Sequence, residues 1–223
     1  MRMRRKNNLE GRLKACGDRI IYMDRDVLDF SVKDDKDILD LKKLFKRDGP
    51  VELEIGCGKG QFIREMAKRC PGTNFLAVEL SSNVIVEAAE SAMEEGLENV
   101  IFLRGNARYL DCFIPEKSVR CIYLNFSCPY PKNSYYNHRL TYKDFLEIYR
   151  KILVPEGEVY QKTDNMHFFE FSIEQFTANG FGLKNISLDL HHSGFEGNIV
   201  TEYEKRFSDM GMPIYRLEAY MIR

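Results

Sequence analysis

Residues 51–66 read VELEIGCGKGQFIREM. VELEI, with Val51, Leu53 and Ile55 alternating with acids, reads as a strand, and QFIREMAKRC (61–70) reads as a helix. Between them Gly56, Gly58 and Gly60 alternate, with Glu54 two residues before the first. A strand that turns through glycines into a helix is the opening unit of an α/β sheet. Glycines at that turn allow a tight bend and close approach of a ligand to the backbone.

The alternation continues outward from this stretch. NFLAVEL (74–80), NVIFLRG (99–105), VRCIYLNF (119–126) and GEVYQKT (157–163) read as strands. NVIVEAAESAMEEG reads as a helix closed by Gly96, and MHFFEFSIEQFTANG as a later one. In LTYKDFLEIYRKIL, Phe145, Ile148, Tyr149, Ile152 and Leu153 share one apolar helical face. LKNISLDL and PIYRLEAYMI read as closing strands, and DILDLKKLFKR ahead of DGP as a short amphipathic stretch. The expected fold class is α/β: a mostly parallel twisted sheet with helices on both faces. Its ligands belong at the C-terminal ends of the strands.

Composition narrows the function classes. The 223 residues are 44% hydrophobic and 30% charged, with a net charge of −1. That describes an ordinary globular chain with no global field to attract nucleic acid, so any such binding must use local patches. No apolar run reaches the ~18 residues of a membrane span, and the basic start MRMRRK lacks a signal peptide's apolar core. The expectation is a cytoplasmic protein. Cys16, Cys57, Cys70, Cys112, Cys121 and Cys128 include no C-x-x-C pair and read as reduced thiols; no metal site is expected.

The loops narrow it further. G-x-G-x-G lacks the glycine at Gln61 that a dinucleotide fingerprint needs, and no G-K-[ST] follows. The acid Glu54 disfavours a diphosphate and suits a cation or an amine. Glu79, ending the second strand, can accept hydrogen bonds from a ribose diol. Asn106, after the third, offers the donor and acceptor that an adenine edge needs. S-adenosylmethionine, with its ammonium, sulfonium and adenosine, satisfies all three. A different loop, FSCPYPK (126–132), follows the fourth strand with two stiffening prolines and the thiol of Cys128.

ELEIGCGKGQFI, IYLNF with its P-x-P-K loop, RLTYKDFL, KTDN and FEGNIVTEYEKRF together closely resemble the bacterial tRNA (guanine-N7)-methyltransferases. The resemblance runs from about Val51 to the C-terminus, and MRMRRK is similar to that family's opening. It implies a Rossmann-like class I methyltransferase domain over 49–223, behind an N-terminal extension over 1–48 with a basic start. It also implies methyl transfer from S-adenosylmethionine to guanine N7 in the variable loop of tRNA. Glu54, Gly56, Gly58, Gly60, Glu79 and Asn106 then fall at cofactor positions. Lys132, Arg139, Asp164, Thr201, Glu202, Tyr203 and Glu204 fall at substrate positions. Whether the chain is a monomer or a homodimer stays open.

The chain departs from the family pattern in places. Cys128 stands at the position of the family's active-site Asp, which also serves the cofactor, and Tyr130 stands at a Trp position; the chain has no Trp. Asn106 stands where an Asp is usual. Ser134, Tyr135, Tyr136, Asn137, His138 and Arg139 replace a strongly basic run. A thiol is a weaker acceptor than a carboxylate. A second reading therefore stays open, a divergent paralogue that binds the cofactor without catalysis or methylates another substrate. Guanine N7 has an in-plane lone pair and needs no general base, so alignment and charge control are the contributions asked of the protein.

Overall fold

The computed structural model describes residues 6–23 and 38–222. MRMRRK lies outside the described residues except for Lys6. Two compact units make up the chain, Met1–Pro115 and Glu116–Arg223. The alternation expected from the sequence is present in both.

The first unit contains β1 (Ile20–Tyr22), β2 (Val51–Ile55), β3 (Asn74–Glu79) and β4 (Val100–Arg104), ordered β1-β4-β3-β2 and parallel throughout. Every residue of β2 is buried, as are all but the last of β3 and of β4. Such near-continuous burial is what parallel strands covered on both faces require. Four helices belong to this unit: α1 (Leu9–Ala15), α2 (Leu41–Phe45), α3 (Gln61–Arg69) and α4 (Ser82–Glu94), with a single turn, α5 (Leu110–Phe113), at its end. α4 buries Ile85, Val86, Ala88, Ala89 and Ala92, and its three alanines let it approach closely. At Gly60 an added Cβ would lie 2.8 Å from the Ala88 Cβ.

α1 and β1 carry no clear sequence signature, because each is short and its neighbours are charged. α1 gains its place by packing on α4, where the Arg12 guanidinium donates to Glu90 at 2.8 and 2.5 Å. That contact holds the Glu90 carboxyl below its ordinary pKa. β1 pairs in parallel with β4, Ile20 opposite Phe102.

The second unit contains β5 (Val119–Asn125), α6 (Lys143–Ile152), β6 (Leu153–Thr163), α7 (Met166–Ala178), β7 (Phe181–Ser187), α8 (Glu202–Ser208) and β8 (Tyr215–Met221). Its strand order is β5-β6-β8-β7; β5 and β6 are parallel, and β8 is antiparallel to both neighbours. α6 buries Phe145, Ile148, Tyr149 and Ile152 as its period requires, and Leu146 besides. Leu153 opens β6 instead of closing the helix. β7 ends at Ser187, short of the LDL that the pattern included, and Leu190 sits in a tight turn. Inside this unit the Ser172 hydroxyl on α7 donates to Phe168 O at 2.7 Å, receives the Gln161 amide at 2.9 Å and lies 2.9 Å from the Thr141 hydroxyl. That buried cluster ties the segment before α6 to β6 and α7. Among the described residues no helix is long and apolar enough to cross a membrane.

Gly60 combines a left-handed backbone, φ +74°, with the close approach to Ala88. Gly96, at φ +67°, faces open space. Gly60→Ala is expected to cost roughly 1–3 kcal/mol from strain plus overpacking, and Gly96→Ala only the strain. Thermal unfolding should place Gly60→Ala several degrees lower; equal melting temperatures would show that the contact with Ala88 exerts no constraint.

Candidate active site

In the first unit the C-terminal ends of β2, β3 and β4 lie side by side, since Ile55 pairs with Val78 and Glu79 with Arg104. The glycine turn begins there. Gly56, Gly58 and Gly60 have φ of +80°, +56° and +74°, the left-handed region that glycine enters without strain. The N–H groups of Gly56 and Cys57 both donate to Val78 O, at 2.8 and 3.0 Å, and Gly60 N–H donates to Cys57 O at 2.8 Å. A Cβ at Gly56 or Gly58 would meet no atom within 4 Å. The turn therefore borders a backbone-lined space that a ligand can enter.

Two carboxylates serve this turn. Gly58 N–H donates to Glu79 Oε2 at 3.2 Å, and Ser81 N–H donates to Glu79 Oε1 at 2.9 Å. An ionised carboxylate has about four lone-pair positions, so Glu79 fastens the loop and keeps capacity for a diol. Glu54 is buried, at 2% exposure. Cys57 lies in the field of both acids: burial, then Glu54, then Glu79 push its thiol pKa well up, so it stays neutral. Asn106 is exposed, and its side-chain oxygen accepts from Arg108 N–H at 3.0 Å, leaving the amide NH2 as its donor toward a ligand. Open space beside the glycines, a diol acceptor and a buried acid fit a nucleoside that carries a cationic tail. Among the described residues no three His, Cys, Asp or Glu side chains gather as a metal site.

In the second unit β5 runs into the proline loop. Phe126 and Tyr130 take left-handed φ of +51° and +41°, which bulky residues rarely adopt. Such a conformation persists only where surroundings enforce it, and here they do. Phe126 N–H donates to Lys162 O at 2.8 Å. Arg139 donates from Nε to Pro129 O at 2.8 Å and from Nη2 to Tyr130 O at 3.1 Å, and its guanidinium lies 4.4 Å from the Phe171 ring centroid. Burial lowers the Arg139 pKa. Arg139 is thus the clamp of the loop. Cys128 is an exposed free thiol, and Lys132 is exposed.

KTDN and TEYE meet through a buried ion pair. Lys162 Nζ donates to Glu204 Oε2 at 2.6 Å, to Asn198 Oδ1 at 3.0 Å and to Ile199 O at 3.0 Å. Glu204 is fully buried; its Oε1 accepts from Asn198 Nδ2 at 2.6 Å and lies 3.1 Å from His191 Nε2. Thr201 caps α8, its hydroxyl accepting from Glu204 N–H at 3.1 Å. With Glu204 turned inward, Glu202 and Tyr203 remain on the exposed side of α8. The Tyr203 ring packs 5.0 Å from Phe126 and 4.7 Å from Phe207. Its hydroxyl pKa is raised by burial and then by Asp164, against an opposing effect of Arg206 and with a smaller contribution from Cys128, so these groups occupy one neighbourhood.

The structure therefore gathers Cys128, Asp164 and Tyr203, and it sets Glu204, Thr201 and Arg139 into the framework behind them. Sequence reasoning gave no site role to Lys162, Asn198, His191 or Phe126. Lys162 and Asn198 lie inside the quoted motifs KTDN and FEGN, and their motif position was the available signal. His191 had none, being one of two adjacent histidines in a turn.

Lys162→Met leaves the Glu204 carboxylate buried without its cation, which typically costs about 3–5 kcal/mol. Urea unfolding should show that loss, and Lys162→Met combined with Glu204→Leu should recover a large part of it. A double variant as unstable as the single one would mean that the pair is not the source of the loss.

The family model described as "Putative methyltransferase" matches residues 48–217. A tRNA (guanine-N(7)-)-methyltransferase of Geobacillus sp. (strain WCH70) is 49% identical over 79% of this chain and 80% of its own length. One from Clostridioides difficile (strain 630) is 41% identical over 98% of both chains. Among solved structures, the 16S rRNA methyltransferase KamB superposes with a TM-score of 0.62 at 15% identity, over 83% of this chain and 95% of that one. The antibiotic-resistance methyltransferase Kmr gives 0.58 at 17% identity, over 82% and 92%. These two likenesses establish the Rossmann-like methyltransferase fold and nothing more. A family model over residues 48–217 and identities of 49% and 41% over most of the chain make it a member of the tRNA (guanine-N7)-methyltransferase family.

Proposed function

We propose that this protein methylates N7 of a guanine in the variable loop of tRNA, using S-adenosylmethionine. The observation that carries the reading is the Glu79 carboxylate, fixed by two backbone amides beside a glycine turn with open space in front of it. When bound, S-adenosylmethionine supplies an electrophilic methyl group. Glu79 and the Asn106 amide would hold its adenosine, and Glu54 would balance its positive charge. The guanine N7 lone pair attacks without prior loss of a proton, so the residues of the second unit need only orient the base and meet the positive charge that develops on it. Asp164 and Tyr203 stand near Cys128 and would take this role, with the Lys162–Glu204 pair holding α8 behind them. Lys132 would contact phosphate, and Arg139 would act chiefly by keeping Pro129 and Tyr130 in place.

Methyl transfer from labelled S-adenosylmethionine to a tRNA transcript, with the product nucleoside identified by mass spectrometry, tests the reading directly. The appearance of 7-methylguanosine is expected, and its complete absence would refute the assignment. Glu79→Ala removes both loop bonds and the diol acceptor. Calorimetric titration should show cofactor affinity reduced roughly 10- to 100-fold, at about 1.5–3 kcal/mol for hydrogen bonds to a charged group. Unchanged affinity would place the cofactor elsewhere.

Cys128→Asp adds a carboxylate where positive charge develops on the purine. Its effect belongs in kcat more than in KM, because that charge is largest in the transition state. A gain of up to about 100-fold is expected where this electrostatic contribution limits the rate. If Cys128→Ala and Cys128→Asp both match the wild type, the position takes no part in the chemistry.

A further inference from the structure

The segment from Phe126 to Lys143 contains Lys132, Arg139 and Lys143, one histidine, four tyrosines and no Asp or Glu. In a chain with 34 acidic residues, an acid-free stretch beside Cys128 points to a polyanion. Its cations are too few to carry such a partner. Arg139 is engaged with Pro129, Tyr130 and Phe171. Two exposed lysines remain, Lys132 and Lys143. Phosphate affinity comes from counterion release and scales with the number of cations that reach the backbone.

What the segment offers in quantity is ring surface. The turn over Asn133–His138 sets the His138 ring 5.7 Å from Tyr135, tilted by 49°, and 5.5 Å from Tyr130, tilted by 36°. Tyr135 is 48% exposed, and His138 is exposed as well. Tyr136 meets Tyr142 edge to face at 5.2 Å and so belongs to the rim of the fold. Tyr130, at the other end of the cluster, is held in its left-handed conformation by the Arg139 clamp on its carbonyl. The three rings therefore lie against one another, with the backbone at Tyr130 clamped. Pre-set aromatic faces with sparse positive charge nearby are the chemistry that takes unpaired bases by stacking.

Resting on the proposed function, we infer that Tyr130, His138 and Tyr135 form a platform on which unpaired bases of the tRNA substrate stack next to the Cys128 loop. Binding through this platform is carried by ring faces more than by phosphate charge. Its salt dependence is correspondingly shallow, set by Lys132 and Lys143.

Binding of an unmodified tRNA transcript to the full chain, followed across a salt series and alongside methyl-transfer kinetics, tests the platform. Tyr135→Ala should weaken Kd and raise KM roughly 5- to 100-fold, the loss of one stacked base. The slope of log Kd against log salt should stay the same. Tyr135→Phe should keep wild-type binding, and Tyr135→Leu, apolar but without a ring face, should not. Lys132→Ala should instead make the slope shallower by about one. Calorimetric titration with S-adenosylmethionine, unchanged in every variant, establishes that the first unit is intact. If the wild type binds and methylates tRNA and Tyr135→Ala or Tyr135→Leu does so equally well, the platform is refuted while the functional reading stands. If the wild type does neither, both are refuted.

Discussion

Lys162 and Glu204 face each other inside the second unit at 2.6 Å, with the carboxylate wholly shielded from solvent and the lysine nearly so. Stripping water from two charges costs several kcal/mol each, and attraction alone offsets it only when the remaining donors and acceptors are also satisfied. Here the ammonium has three acceptors, and the carboxylate additionally meets Asn198 and His191. The end of β6, the loop through Asn198 and Ile199 and the start of α8 are therefore locked in one mutual position. From that position follow the outward placement of Tyr203, its packing on Phe126, and the neighbourhood that Asp164 and Cys128 share.

Glu79 shows the same principle with a different outcome. It receives one backbone amide on each oxygen, enough to fix the glycine turn and too few to saturate the carboxylate. Glu204 is buried and committed within the protein; Glu79 is anchored and still able to accept. One acid holds structure and the other is equipped to hold a ligand, although both stand in motifs that mark them equally by sequence. The difference lies in how many donors the surrounding backbone and side chains bring to each.

The proline loop is firmly built. Two bulky residues in left-handed conformations are tolerated because Lys162 O and the Arg139 guanidinium fix the chain on either side. Arg139 contributes to geometry through the carbonyls it binds. The loop's chemical character then rests on an exposed thiol and on aromatic surface.

By itself the sequence determined the alternation of strands and helices, the glycine turn, the acids at successive strand ends and the family. Each of these is written in local pattern: VELEI and NFLAVEL supply the aliphatic and aromatic residues that parallel strands buried on both faces require, and Gly56, Gly58 and Gly60 are needed where φ is positive. α1 and β1 were not legible, since seven and three residues carry too little periodicity and gain their stability from α4 and β4. Nor could sequence separate Glu204 from Glu202, two residues apart in TEYE, because their difference is a lysine 42 positions earlier in the chain. Whether a charged side chain binds a partner or braces the fold depends on which donors reach it. Only the tertiary structure, which brings distant segments within hydrogen-bonding distance, decides that.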